Sequence, residues 1–437
     1  MSRARYALLA FCGGALIALT VLGLYRQNLD DVDGFVAIAA VQGAIYFLAV
    51  WLASSSTTPV GRDLALILAV AAMMRAAALV SPPYLSTDIY RYIWDGRVAA
   101  AGINPYRYIP SDPHLAPLRD PKVFPRINRN NYAPTIYPPV AQAVFFLVTR
   151  ISDSVTAMKG AMIAFETVAI FALLRLLAGA GLPSTRVLIY VWHPLPVWEF
   201  AGSGHIDAAL IALVALVLWA RQRGSGALAG LTLAAATLVK FYPAVLLPAL
   251  YRRWDWIMPA AFAGAAILAY LPFVGVGWGV FGFLPGYAAE EGFAGGQGFY
   301  LLGLLRLALP AFPASLYLAS AGALLAALGL AILFARSSLD REIGGAAVLA
   351  TAFMLLLSPH YPWYFAWLIP FACVLPWRSL LWLTAASMLL YLVPVGSYLV
   401  RDGYRMLVET AIYAPFAVLA LIDWRARRQV RHGTTDG

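Results

Sequence analysis

Residues 35–54 read FVAIAAVQGAIYFLAVWLAS, twenty residues without a charge. A helix of that length covers about 30 Å, the thickness of the hydrocarbon core of a bilayer. Apolar runs of spanning length, some with a few charges, recur at 6–25, 62–81, 157–178, 186–202, 205–220, 255–275, 314–335, 343–358, 361–377, 379–397 and 404–424. The chain as a whole, 437 residues, is 62% hydrophobic and 12% charged. A soluble domain carries about twice that charge, roughly 25%. Disorder is excluded by the same figures, and so is a large soluble catalytic domain. They predict an all-α polytopic membrane protein of about 12–14 membrane helices. Residues 1–437 read as one domain, with an outer loop and interfacial helices over 82–151.

The formal net charge is +10, from 31 Lys and Arg against 21 Asp and Glu. In this setting the excess reflects cytoplasmic loops and attraction to membrane lipids, not nucleic acid. Arg3 and Arg5 place the N-terminus in the cytoplasm, and Tyr6–Leu24 then reads as an uncleaved first helix. The tail with Arg425, Arg427, Arg428 and Arg431 is cytoplasmic too, as are Arg62, Arg221, Arg223, Arg252, Arg253, Arg336, Arg341 and Arg378. The polar segment 82–138 falls outside. Arg175 and Arg186 both belong inside, so 139–151 should lie in the interface rather than span. Likewise 299–311, with Arg306 and Pro310, should lie at the outer surface. The run 226–251 should be a broken pair bent near Lys240-Phe241-Tyr242-Pro243. Broken helices at membrane depth belong where they line a cavity. The outer face then gathers 82–138, Gly204-His205-Ile206-Asp207, Lys240, Glu290-Glu291 and Ser358–Trp363.

The densest polar segment runs from Ser86-Thr87-Asp88 to Gly102-Ile103-Asn104-Pro105-Tyr106. It predicts a short helix, capped by Ser86 or Thr87 and closed by Gly102. Asp88 sits in the first turn, where the helix dipole favours an ionised carboxylate. Tyr90, Trp94 and Arg97 share a face, and Arg91 and Asp95 form an i,i+4 pair. One reading is an aromatic-belt helix with ordinary ion pairs. The other is a carboxylate able to take a proton from a hydroxyl nucleophile, with aromatic faces for a sugar. His205 and Asp207 open an apolar helix and are candidates for hydrogen bonds to substrate hydroxyls. Lys240, an ionisable residue in an apolar stretch, is a candidate phosphate ligand. His360, Tyr361 and Trp363 stand at a proline-broken junction and read as site wall. Arg75, within 62–81, should pair with a carboxylate or reach headgroups. Asp31-Val32-Asp33 is formally a D-x-D; it reads as a solvated loop and is the second candidate for the base. No metal-ligand spacing and no nucleotide motif is present, so neither metal nor cofactor is expected.

These segments, in this order, resemble the GT-C superfold of polytopic glycosyltransferases. They are most similar to bacterial polyprenyl-phosphate-mannose-dependent mannosyltransferases and to glycosyltransferase family 87. The resemblance rests on Ser86–Tyr92 running to Gly102–Tyr106, Tyr137-Pro138-Pro139, Gly204–Ala208, Lys240 with Pro243, and Ser358-Pro359 with Pro362-Trp363-Tyr364. It implies transfer of a hexose, mannose, from a polyprenyl-phosphate sugar to a lipid or glycan hydroxyl, with inversion. Asp88 would be the base, and Lys240, with Arg91 or Arg97, would hold the donor phosphate. One departure is that Asp88 follows the third apolar run, whereas the base in many such enzymes follows the first. The implied location is the bacterial inner membrane, with the site on the periplasmic face and both termini cytoplasmic. A transporter or flippase of lipid-linked sugars is the alternative. It would need a hydrophilic path through both leaflets rather than polar groups at one face.

Overall fold

The computed structural model describes residues 3–54, 61–335, 338–393 and 403–433, with side chains to residue 429. Arg336, residues 394–397 and the side chain of Arg431 lie outside the described residues. Among those described, every regular element is helical. Six helical segments are long and apolar enough to cross a bilayer: Arg3–Asn28, Val32–Ser54, Val155–Gly179, Ile257–Glu290, Ala314–Phe334 and Gly403–Gln429. Two more helices of 19 residues, Gly61–Leu79 and Leu339–Leu357, carry three charged residues each. Large apolar side chains face outward along the long segments, with Phe11 72%, Trp51 63% and Leu268 66% exposed. Such surface has no place in water and is accounted for by lipid.

Several expected spans are not continuous helices. The run 186–202 divides into Ser184–Val187, Leu188–Val191, Pro194–Pro196 and a π-helical turn, Val197–Gly202. Pro194 and Pro196 remove two backbone donors there and break the ladder. The stretch 361–377 is likewise a 3₁₀ turn, Pro362–Leu368, followed by Ile369–Val374. The break in 226–251 falls where Lys240 and Pro243 place it: Gly226–Thr237 ends at Leu238, and a 3₁₀ turn starts at Tyr242. The freed Leu238 carbonyl accepts from the Val140 and Ala141 amides, 3.0 and 3.2 Å away. Pro139–Ile151 is a 13-residue helix, about 20 Å long and too short to cross. Tyr300–Ala308 is shorter still and stops before Pro310.

A buried ion pair ties the helices together. Arg75 donates to Glu166 at 2.7 Å and to the Val191 carbonyl at 2.7 Å. Both side chains are buried. Removing one partner leaves an uncompensated charge, so Glu166→Ala is expected to cost about 3–5 kcal/mol of stability. Thermal unfolding in detergent measures this; an unchanged midpoint would mean that Arg75 has found another partner.

Candidate active site

Asp88–Ala100 begins at Thr87, whose side chain makes no capping bond; Ser86 Oγ instead accepts from the Asp88 amide at 3.2 Å. The helix closes as expected. Gly102 takes φ +76°, and the Ile103 amide reaches back to the Val98 carbonyl at 3.1 Å. At Gly96 the helix rests on Pro139–Ile151 so closely that any Cβ would strike the Phe145 carbonyl and Thr149. This contact fixes the helix that carries Asp88 against Pro139–Ile151.

Asp88 stands on the wall of a cavity of about 1250 Å³. Its Oδ1 accepts from Asn128 at 2.7 Å and its Oδ2 from the Tyr137 hydroxyl at 3.3 Å. Arg91, Arg129, Lys240, Glu290, Glu291, His360, Tyr361 and Trp363 also line the cavity. Groups far apart in the chain, which charge placement assigned to one face, thus surround one space. Lys240 reaches it with its ammonium on Asp207, 2.7 and 3.0 Å from the two oxygens, and over the Tyr364 ring at 4.5 Å. Tyr242 donates to the same carboxylate at 3.2 Å. Ser358, in the left-handed region at φ 43°, turns the chain ahead of Pro359 and so presents the next residues to the cavity. Tyr361 stacks on Trp363 with centroids 4.5 Å apart, and Trp363 stacks on His205 at 4.1 Å. His360 Nε2 lies 3.3 Å from Glu291, and Arg405 meets His360 Nδ1 at 2.9 Å. Val245, Phe283, Phe293, Phe353 and Leu357 give the cavity an apolar lining as well.

Other candidates are placed differently. The face shared by Tyr90, Trp94 and Arg97 does not reach the cavity. Tyr90 lies under Arg126, Trp94 packs on Phe124 with centroids 5.6 Å apart, and Arg97 pairs with Asp120 and Asp153. The spacing marks a packing face for the loop 112–126. Burial raises the Asp120 carboxyl, but Arg97 and the Val123 and Lys122 amides outweigh it and hold it below its ordinary value. Arg97→Gln is expected to leave the donor KM unchanged and to cost about 1 kcal/mol in thermal stability; a raised KM would return Arg97 to the site. Arg91 lines the cavity but is committed to Asp95 at 2.8 Å and the Ala133 carbonyl at 3.1 Å. Asp95 in turn accepts from Thr135 at 2.5 Å. His205 and Asp207 lie behind the wall, each 1% exposed, and neither lines the cavity. The D-x-D is spent on the turn between the first two helices. Asp31 accepts from Arg26 at 3.0 Å and from the Gly34 amide at 2.8 Å. Asp30 and Asp33 line a neighbouring cavity of about 440 Å³.

Asn128, Arg129 and Glu199 were missing from the candidates. Arg129 lines the cavity with Nε on Glu290 at 2.5 Å. Its signal was the cluster Asn128-Arg129-Asn130-Asn131-Tyr132 inside a loop. Glu199, fully buried, was masked by the apolar run around it.

The fold and site together define a polytopic membrane protein with an amphipathic, carboxylate-bearing cavity. A model of the MptA_B family, described as alpha-(1->6)-mannopyranosyltransferase, N-terminal domain, matches residues 7–256, and the chain belongs to that family. It is therefore a membrane glycosyltransferase of a mannosyltransferase family. No curated protein and no solved structure matches the chain. Asp88, His205, Asp207 and Lys240 lie within the matched region; His360, Tyr361 and Trp363 lie beyond it.

Proposed function

We propose that the protein transfers mannose from a polyprenyl-phosphate sugar to a hydroxyl of a lipid or glycan acceptor, inverting the anomeric centre. The observation that carries the reading is Asp88 on the wall of a cavity that also holds Lys240 and a row of aromatic rings. An apolar wall suits a polyprenyl chain, ring faces suit a sugar, and an ammonium suits a phosphate. The acceptor oxygen attacks the anomeric carbon, and the bond to the phosphate oxygen breaks with its electron pair. Asp88 takes the hydroxyl proton. Lys240, with Arg129, which also lines the cavity, stabilises the charge that develops on the leaving phosphate. Arg129 stands in this role in place of Arg91, which is held by Asp95, and of Arg97, which faces the 112–126 loop.

The site faces the extracytoplasmic side of a bacterial inner membrane, with both termini cytoplasmic. The placement of Lys and Arg along the chain supports this orientation, and the resemblance to bacterial mannosyltransferases supports the choice of membrane. Cavity walls come from both sides of residue 256, which supports reading the chain as one unit. The linkage in the family description makes an α-1,6 product the expected one. The family match favours transfer over transport of lipid-linked sugars. Purified protein, given a polyprenyl-phosphate mannose of known anomeric configuration and a membrane glycolipid, tests the reading. Product of the opposite configuration supports it, and retained configuration overturns the single displacement.

A further inference from the structure

Behind the cavity wall, three titratable side chains lie in line. His205 Nδ1 is 4.0 Å from Asp88 Oδ2, and His205 Nε2 is 3.5 Å from Glu199 Oε2. His205 is 1% exposed and Glu199 is fully buried. Neither ring nitrogen, nor Glu199 Oε2, has a hydrogen bond among the described residues. The other Glu199 oxygen accepts from the Tyr391 hydroxyl at 2.7 Å. Buried polar atoms left unpaired are costly, and each such atom calls for an explanation.

Local backbone holds this line in place. Glu199 sits in the π-helical turn Val197–Gly202, a rare geometry that is frequent at functional sites. The Glu199 carbonyl accepts from the His205 amide at 2.8 Å, which ties the two residues together. Gly204 between them has φ +77°, and a Cβ there would strike Ile89, the neighbour of Asp88. Trp363 covers one face of the imidazole, so both nitrogens point edgewise at carboxylates. The other charges near the ring, Asp207 and Lys240, neutralise each other at 2.7 Å.

We infer that Asp88, His205 and Glu199 form a proton relay, with His205 a positioning residue that acts through Asp88 and not on the sugar. This inference rests on Asp88 being the base. The acceptor O–H breaks and its proton goes to Asp88. Asp88 passes a proton to His205 Nδ1, and His205 Nε2 releases one to the Glu199 carboxylate. After product leaves, the proton returns by the same path to water in the cavity. A closure of about 1 Å at the first step and about 0.5 Å at the second makes both bonds, the tightening expected when a substrate fills an open site.

The test uses single-turnover transfer of mannose from a polyprenyl-phosphate mannose by the full chain in nanodiscs, run in mixtures of light and heavy water. Wild-type protein is expected to give a curved dependence of rate on deuterium content, reporting more than one moving proton. Glu199→Gln and His205→Asn should lower the rate about 10- to 100-fold, leave the donor KM unchanged and make the dependence linear. If Glu199→Gln does not assemble, His205→Asn is read by the same quantities. Variants that keep the wild-type rate and curvature while Asp88→Asn is inactive would overturn the relay and leave the base in place. A fully active Asp88→Asn would instead remove the base and the relay with it.

Discussion

Asp88→Asn is expected to lower kcat by about 10²–10⁴-fold while changing the donor KM only a few-fold, the span of a lost general base. The amide keeps the shape of the carboxylate. It can still meet Asn128 and Tyr137, which lie 2.7 and 3.3 Å from the carboxylate oxygens. It cannot take a proton from the attacking hydroxyl. The split between kcat and KM matters because loss of packing would move both, whereas loss of the base acts only in the transition state. Radiolabel transfer at saturating donor reads the effect. A kcat within a few-fold of wild type would move the role away from Asp88, to the Asp30–Asp33 turn at the neighbouring cavity.

Lys240→Met is expected to raise the donor KM about 10- to 100-fold, the range of one charge-assisted hydrogen bond. The prediction needs a control. Asp207 is buried, and without its partner 2.7 Å away it becomes an uncompensated charge. The double variant Lys240→Met with Asp207→Asn removes that penalty. Its stability should recover while its KM stays high. If the double variant recovers both, Lys240 serves only to neutralise Asp207, and the phosphate is held by other groups. Lys240→Arg, which keeps the charge but not its compact shape, should fall between these two.

Much of the membrane architecture follows from uncharged runs and the placement of Arg. The bend after Leu238, the short Pro139–Ile151 helix and the Schellman closure at Gly102 all follow from local rules. Those rules act over a few residues, so they can be read in one dimension. The Asp88 helix shows where this stops. Periodicity places Tyr90, Trp94 and Arg97 on one face, but it does not tell which neighbour that face meets. Phe124 and Asp120, more than 20 residues on, make it a packing surface. Lys240 stands out as an ion in an apolar stretch, yet its partner Asp207 lies 33 residues away. Glu199 is hidden for a different reason. It belongs to an apolar run that reads as a span, and only the proline-broken backbone and π-helical turn carry it to His205.

The proposed reaction is transfer from a lipid-linked phosphate sugar inside this cavity. It is tested most directly by offering purified protein two labelled donors with a membrane glycolipid acceptor. One donor is polyprenyl-phosphate mannose and the other is a nucleotide-diphosphate mannose. Label from the lipid donor is expected to enter the acceptor, label from the nucleotide donor is not, and Asp88→Asn is expected to remove the transfer. Label entering from the nucleotide donor alone, or at an equal rate in Asp88→Asn, would contradict it.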